Sequence, residues 1–339
     1  MGRIIFFDIL KLFAIFCVCF GHCIQHLITV NPPENNVFRF IYSFHMPLFM
    51  CIVGYFMFNK NNNIDVKSSI SKKFRQLILP AISFWLLFSI IRGFPQGLMF
   101  FNAFSNYWFL TCAFICSSIY ILANYASNKW GGYTFWVILS LVIGLLIIPY
   151  NVFRLYPAFL TGVLIHKYES FLNKYSRQIT EISTILFILM FLFLKPDFYG
   201  PQNFEKFQNI IITGYHLLYR IVIGSVASLA LISICICLKN FFSKNKLLFK
   251  LSKIGTYTLG IYVIQNFIIE ILLREFLNFD NYNIFIFYLI ITPCICIITI
   301  TFSLIIIKIL EKSKFLNYFF LGKGNYLYII KNKKEVVDS

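Results

Sequence analysis

The chain has 339 residues, of which 59% are hydrophobic and only 13% are charged. Because soluble domains carry roughly a quarter charged residues, this composition excludes an ordinary soluble enzyme and is typical of a polytopic membrane protein. The net charge of +17 would suit a nucleic-acid partner, but the basic residues lie between apolar runs and form no patch interleaved with aromatic residues. We therefore expect the lipid bilayer as a partner and no nucleic acid.

The apolar runs predict an all-α integral membrane protein with about ten transmembrane helices, because one span needs about 20 residues. The run at 154–168 is the shortest of them. The predicted spans, in chain order, are 12–30, 39–58, 77–97, 107–126, 133–150, 154–168, 179–195, 211–238, 254–274 and 284–308. A single transmembrane domain over 1–339 is expected, with a basic tail over about 309–339.

The distribution of Lys and Arg predicts how the protein is oriented. With ten spans, the segments on the same side as the N-terminus hold 23 of the 30 Lys and Arg residues. Loops on the cytoplasmic side of a membrane are enriched in these residues. Both termini and the basic tail are therefore expected in the cytoplasm, and the connection 196–210 is expected on the other side.

The ten cysteines include three C-x-C pairs, which resemble metal-binding motifs. All ten lie inside apolar runs, where residues two apart on a helix point to nearly opposite sides. Buried cysteine ordinarily behaves as a small hydrophobic residue. We expect neither a metal site nor disulfides.

The first span, FFDILKLFAIFCVCFGHCIQHLITV, carries four ionisable side chains: Asp8, Lys11, His22 and His26. At about 100° per residue, Lys11 and His22 differ in direction by about 20°, and the other two fall within about 60° of them. The helical rise places His22 about 16 Å beyond Lys11. Because such groups are costly in hydrocarbon, this stripe should face the bundle interior or a water-filled cavity. Asp8 is too far from His22 to orient it, so we expect it to pair with Lys11 or a loop arginine.

Other ionisable side chains also fall at membrane depth. His45 precedes a proline in the second span, and a proline in a helix often marks a cavity wall because it frees backbone groups. Arg220 and Glu270 could pair across helices, or either could meet a polar acceptor. Tyr262, Asn266 and Glu270 are spaced four residues apart on one helix face, which we expect to point inward.

In the opening DILKLFAIFCVCFGH, ten residues separate Lys11 from His22. This basic-x10-His spacing resembles the opening of the acyltransferase-3 family of bacterial membrane acyltransferases. Three further motifs follow in the family's order: FHMPLFMCIVGY at 44–55, KKFRQLILP at 72–80 and NYWFL at 106–110. YPAFLTGVLI and IGTYTLGIYVIQ resemble later family helices, so the resemblance covers most of the chain. Gln265 departs from the pattern, because relatives often have histidine there and glutamine cannot shuttle a proton.

The resemblance implies roles for residues at the matched positions. His22 would act as the general base on a hydroxyl or would carry the acyl group itself as a nucleophile. Asp8, His45 and Trp108 would support the site or line its cavity. Acyl-CoA phosphates would be bound at the cytoplasmic edge by Lys11, Lys72, Lys73 and Arg75. The positive-inside rule alone also explains the basic loop that holds the last three, so both explanations stay open.

The resemblance implies an enzyme of the bacterial inner membrane that transfers acyl groups, usually acetyl, from cytoplasmic acyl-CoA. The expected acceptor is a hydroxyl of a cell-surface saccharide or its lipid-linked precursor, with glycan-assembly proteins as further partners. Acyl-CoA would be a substrate, and no permanently bound cofactor is expected. The rival reading is a transporter or flippase for lipid-linked sugars or polysaccharide, which a polar stripe would also serve. The basic-x10-His spacing and the basic loop favour the enzyme.

Overall fold

In the computed structural model, the described residues are 4–58, 65–91, 104, 106–146, 150–199 and 207–323. Within these ranges the chain is helical and contains no β-strand. The helices in chain order are α1 Ile5–Leu27, α2 Asn36–Met57, α3 Val66–Ile91, α4 Trp108–Trp130, α5 Tyr133–Leu146, α6 Tyr150–Lys167, α7 Glu169–Lys174, α8 Ser176–Leu192, α9 Phe207–Cys237, α10 Lys239–Lys244, α11 Lys246–Gly255, α12 Thr258–Phe276, α13 Ile284–Lys312 and α14 Lys314–Leu321.

Each of the ten predicted spans overlaps a helix in the described residues, and the predicted span 254–274 crosses the break between α11 and α12. Among the described residues, six helices are long and apolar enough to cross a membrane, namely α1, α2, α3, α4, α9 and α13. Helices α11 and α12 together form a seventh candidate, which is bent by 61° at the break between them. The all-helical membrane architecture is therefore confirmed, whereas the count of ten spans and the cytoplasmic termini stay predictions. The ends of the predicted spans 77–97 and 133–150, part of the connection 196–210 and the tail beyond residue 323 lie outside the described residues.

A short capped connection makes α1 and α2 antiparallel neighbours. After α1 ends at Leu27, one 3-10 turn over Pro32–Glu34 leads to Asn35. The Asn35 side chain accepts hydrogen bonds from the first backbone N–H groups of α2 at 3.0 and 3.1 Å, as a helix N-cap does. The last turns of α1, with its two histidines, therefore lie beside the first half of α2.

Helices α2 and α6 cross with their backbones in close contact at two glycines. A Cβ atom added to Gly54 would lie 1.9 Å from the carbonyl oxygen of Phe159. A Cβ on Gly162 would lie 1.8 Å from the carbonyl oxygen of Cys51. Only glycine fits at either position, as at other interfaces of small residues between membrane helices. The crossing fixes the second half of α6 against the second half of α2.

Helix α1 occupies a central position in the bundle. It packs against α2, α9, α11, α12 and α13, so several helices cover it on different sides. Its buried residues include Asp8, and the side chains of Lys11, His22 and His26 are partly buried. The polar stripe predicted for this helix thus faces protein, in agreement with the cost of exposing charged groups to hydrocarbon.

Candidate active site

Two histidines of α1 meet a glutamate of α12. The Nδ1 atom of His22 lies 2.7 Å from Oε1 of Glu270, and Nε2 of His26 lies 3.7 Å from the same oxygen. The histidines are four residues apart and so share one face of α1. Their side chains are each 14% exposed and that of Glu270 is 30% exposed. This cluster joins the polar stripe of α1 to a carboxylate on α12, a helix far from α1 in the sequence.

Local backbone geometry sets the position of Glu270 in α12. Residues Phe267–Leu273 form a π-helical segment, and such segments occur frequently at functional sites. Asn266 lies just before this segment. With its amide nitrogen turned toward the carboxylate, Asn266 donates to both oxygens of Glu270, at 2.7 Å to Oε2. The carboxylate is therefore held by its own helix while it faces the histidines of α1.

A cavity of about 200 Å³ opens beside this cluster. It lies between α1, α2, α4, α6, α9, α12 and the 3-10 turn Pro196–Tyr199. Its polar lining consists of His22, Gln25, Tyr42, Ser43, His45, Arg154, Tyr199, Arg220 and Glu270, and its apolar lining of Met46, Pro47, Trp108 and Ile223. Pockets that enclose drug-sized ligands have roughly 300–1,000 Å³. This cavity therefore suits one small group or one sugar ring.

The wall from α2 places a second imidazole in the cavity. His45 is 2% exposed, and its Nδ1 lies 2.7 Å from the carbonyl oxygen of Ile41. Because a carbonyl oxygen only accepts, Nδ1 is the protonated nitrogen and Nε2 of the neutral ring is an acceptor. The ring of Tyr42 packs edge-on against His45 at 4.6 Å, and its hydroxyl donates to Gln25 Oε1 at 3.0 Å. His45 thus lines the cavity with a fixed orientation.

The residue before His22 makes room for this wall. A Cβ on Gly21 would lie 2.7 Å from a ring carbon of Tyr42, so the α1 backbone lets the Tyr42 ring approach closely. A glycine beside a deep histidine is visible in the sequence, but its partner is not. The contact explains why a small residue is needed next to His22.

Two arginines also line the cavity. The guanidinium of Arg154 lies 5.9 Å from the centre of the Trp108 ring, and that of Arg220 lies 4.3 Å from the Tyr199 ring. Arg220 Nη1 also donates to the carbonyl oxygen of Phe198 at 3.5 Å. The sequence left open whether Arg220 pairs with Glu270. In the structure, Glu270 faces the two histidines, and Arg220 stacks on Tyr199.

The residues predicted to bind acyl-CoA do not line this cavity. Lys11 Nζ lies 3.0 Å from Asp8 Oδ1, so the expected pairing of these two residues is confirmed. Lys72 and Lys73 end the first segment of α3, and Arg75 follows in a π-helical stretch with its guanidinium 5.9 Å from the Tyr318 ring. Of the predicted site residues, the cavity brings together His22, His45 and Trp108.

Gln265 and its neighbours on α12 occupy different environments. Gln265 is fully buried and its Nε2 donates to the carbonyl oxygen of Tyr262 at 3.3 Å, within the same helix. Gln265 does not line the cavity, whereas Glu270 does. Tyr262 is 8% exposed and Asn266 is partly buried, so the face predicted to point inward does so.

The His22, His26 and Glu270 donor atoms all lie within 4.8 Å of one another, and two imidazoles with a carboxylate are a known ligand set for zinc. Ligand atoms around tetrahedral zinc are about 3.3 Å apart, given bonds of about 2.0–2.1 Å. The 2.7 Å between His22 Nδ1 and Glu270 Oε1 is shorter than this and is the distance of a close contact between an imidazole and a carboxylate. The geometry therefore fits an imidazole held by a carboxylate better than a metal site.

Comparison with known proteins identifies the family. The model of a family described as an acyltransferase domain matches residues 4–308. The chain belongs to this acyltransferase family. The match confirms the resemblance read from the motifs, and it includes every residue that lines the cavity.

Two curated relatives are nodulation proteins named NolL. The one from Sinorhizobium fredii is 30% identical over 181 residues, which cover 48% of this chain and 49% of that protein. The one from Mesorhizobium japonicum is 24% identical over 296 residues, which cover 80% of this chain and 78% of that protein. The chain thus spans about half the length of the first relative. No solved structure matches it.

Proposed function

We propose that the protein is an acyltransferase of the bacterial inner membrane. It moves an acyl group, for which we propose acetyl, from acyl-CoA to a hydroxyl of a cell-surface saccharide or its lipid-linked precursor. Membership of the acyltransferase family supports the reaction class. The observation that carries the residue roles is the 2.7 Å contact between His22 Nδ1 and Glu270.

A carboxylate 2.7 Å from Nδ1 favours the tautomer of His22 that carries its proton on Nδ1. Nε2 of the neutral ring is then the free acceptor, and we assign it the role of general base. A carboxylate that holds an imidazole in this way is the arrangement used by serine hydrolases to activate a hydroxyl. A positioned base of this kind contributes roughly 10²–10⁴-fold in rate.

The reaction then balances without further groups. The acceptor hydroxyl gives its proton to His22 Nε2, and its oxygen forms a bond to the thioester carbonyl carbon. The carbon–sulfur bond breaks, and the CoA thiolate takes the proton back from the imidazolium. In the alternative relay, Nε2 itself attacks the thioester carbon, and the carbon–sulfur bond breaks to release the CoA thiolate. The acceptor hydroxyl then takes the acyl group from the imidazole, and the hydroxyl proton goes to the thiolate. The Glu270 contact suits both routes.

Acyl-CoA is proposed to reach His22 from the other end of α1. Helix α3 begins where α2 ends, which is the end of the bundle that holds Lys11. Phosphates bound there by Lys11, Lys72, Lys73 and Arg75 would leave the pantetheine arm to extend along α1, over the rise of about 16 Å to His22. The cavity volume of about 200 Å³ supports a phosphate site that lies away from His22, because the nucleotide of CoA does not fit beside His22.

The cavity lining supports a saccharide acceptor. Trp108, Tyr42 and Tyr199 present aromatic surfaces, and Gln25 and Ser43 add hydrogen-bonding groups. Aromatic side chains with polar tips suit a ligand that has apolar faces and hydroxyl edges.

The decisive experiment measures release of CoA thiol by purified protein in detergent. We expect thiol release from acetyl-CoA that depends on an added saccharide acceptor, with transfer of labelled acetyl to it. Transport of a lipid-linked sugar in proteoliposomes without acyl-CoA consumption would contradict the proposal and favour the transporter.

A further inference from the structure

The base chemistry proposed for His22 uses neither of the two arginines in its cavity. We propose that Arg220 and Arg154 bind an anionic group on the acceptor, a phosphate or a carboxylate close to the hydroxyl that is acylated. This inference rests on the proposed function and names a class of substrate for the same site.

The charges in the cavity support an anionic ligand. Guanidinium groups stay protonated in proteins, and placing one inside a membrane protein, as Arg220 is placed on α9, is costly unless it has a partner or a function. Among the described residues of the lining, the one carboxylate is Glu270, which faces His22 and His26. Arg220 contacts two neutral groups, the Tyr199 ring and the Phe198 carbonyl oxygen.

Tyr199 marks the point where positive charge converges. Burial raises the pKa of Tyr199 to about 12, while the nearby guanidinium groups of Arg220, Arg154 and Arg39 act in the opposite direction. The Tyr199 hydroxyl also donates to the Arg39 carbonyl oxygen at 3.3 Å, which ties it to the start of α2. Three cations therefore lie within electrostatic reach of one side of the cavity, where an anion would be attracted.

The anion belongs to the acceptor because of where the donor must lie. His22, Arg154 and Arg220 line one cavity of about 200 Å³. In acyl-CoA the pantetheine arm separates the thioester from the phosphates, so a thioester at His22 leaves those phosphates outside the cavity. The acceptor, in contrast, brings its hydroxyl and any neighbouring charge into it together. Arginine recognises phosphate and carboxylate through the same paired hydrogen bonds, so both sources fit.

The test compares binding of glucose 1-phosphate, glucuronate and glucose by the purified full-length protein, using titration calorimetry. We expect at least one anionic probe to bind the unchanged protein at least tenfold more tightly than glucose. Preference for glucose 1-phosphate would assign a phosphate, and preference for glucuronate would assign a carboxylate. Glucose binding as tightly as both anionic probes would overturn the proposal without any variant.

Arg220→Gln should weaken binding of the preferred anionic probe by about 10- to 100-fold, the loss expected for a charged hydrogen bond. Affinity for acetyl-CoA should not change. Arg220→Lys keeps the charge but loses the paired hydrogen bonds, so its affinity for the anionic probe should lie between those of the unchanged protein and Arg220→Gln. An intermediate affinity would show that the loss in Arg220→Gln is not a folding defect. Arg177→Gln is the matched control, since that side chain is 88% exposed on α8. Unchanged anion affinity in folded Arg220→Gln would overturn the proposal.

This outcome is separable from failure of the proposed function. Absence of CoA thiol release with every acceptor would remove the acyltransferase proposal, whatever the probes bind. Normal thiol release with no preference for anionic probes would remove the anionic acceptor alone.

Discussion

His22 on α1 and Glu270 on α12 face each other with 2.7 Å between Nδ1 and Oε1, and they do so at the wall of a cavity. Asn266 holds the carboxylate from the side of α12. A titratable base, a group that orients it and an adjacent space for a substrate are the elements that a general-base mechanism requires. Substitutions of these residues separate this mechanism from a structural role.

His22→Ala should abolish acyl transfer and leave the amount of protein in the membrane near normal. The substitution removes a costly polar group from the membrane interior, so it should not destabilise the bundle much. Losing a positioned proton acceptor reduces the rate by roughly 10²–10⁴-fold, about 3–5 kcal/mol in barrier height. His22→Gln should fail as well, because an amide has no titratable proton. Thiol release and membrane abundance are measured together. Retained activity in His22→Ala would contradict both roles proposed for His22, the general base and the acyl carrier.

His26→Ala serves as the control for the second imidazole. His26 lies one turn further along α1 and 3.7 Å from Glu270, against 2.7 Å for His22. Its removal should therefore cost much less activity.

A trapping experiment separates the two roles proposed for His22. A labelled acyl group trapped on the protein when acceptor is withheld would identify the relay, and its absence would identify the simple base.

Glu270→Gln should lower kcat by roughly 10²–10⁴-fold and leave the KM for acyl-CoA nearly unchanged. The amide keeps the size of the side chain, but it no longer favours the required tautomer of His22. Glu270→Asp keeps the charge and should restore part of the rate. A Glu270→Gln protein with normal kcat would show that the 2.7 Å contact is structural. Loss of protein from the membrane in Glu270→Gln but not in Glu270→Asp would argue for the same conclusion.

The relation of His22 to Glu270 also marks where reasoning from the sequence stops. Helical periodicity predicted that Asp8, Lys11, His22 and His26 share a face, and the pairing of Asp8 with Lys11 is local enough to follow from it. Helical periodicity likewise predicted that Glu270 points into the bundle. It could not tell that α12 packs on α1, because the partner of a face depends on how distant helices cross.

Helix crossings also explain why the sequence did not predict which basic residues lie in the cavity. Residues 72–75 were predicted from the sequence as a basic loop, but they are helical and lie within α3. They and the histidine of α1 belong to one family motif set, yet α3 packs on α4 and α14. The residues grouped by sequence resemblance therefore separate into a cavity set and a basic set. Arg154 and Arg220 join the cavity set only because α6 and α9 pack against α2.

The paired substitution Lys72→Ala and Arg75→Ala tests the donor site. We expect affinity for acyl-CoA to fall about tenfold or more, because charged hydrogen bonds to phosphate are lost. The loss should be smaller at high salt, since salt already screens exposed charges. Binding is measured by titration of acetyl-CoA into purified protein. Lys129→Ala with Arg177→Ala is the control, since both side chains are exposed and lie on other helices. Equal affinities in both double variants would mean that these basic residues of α3 serve only to orient the protein.

Reporter fusions test the orientation on which the donor assignment depends. Fusions after residue 65, before α3, and after residue 245, before α11, should report the cytoplasm. A fusion near 203 should report the opposite side. The reason is the excess of Lys and Arg in the first two regions. An outside signal at residue 65 would reverse the bundle and remove the site proposed for acyl-CoA phosphates.

Gly162→Ala tests the helix crossing that supports the cavity. The new Cβ would lie 1.8 Å from the Cys51 carbonyl oxygen, and because that atom is backbone, α2 and α6 must separate. Overpacking of this kind typically costs about 1–3 kcal/mol, so the Tm in detergent and the activity should both fall. Gly214→Ala is the matched control, because its Cβ meets no atom within 4 Å on exposed α9. Alanine is a better helix former than glycine by about 0.5–1 kcal/mol, so this control should keep or raise the Tm. If Gly162→Ala instead kept the Tm of the unchanged protein, the close contact of α2 with α6 would be wrong, and with it the position of Arg154 in the cavity.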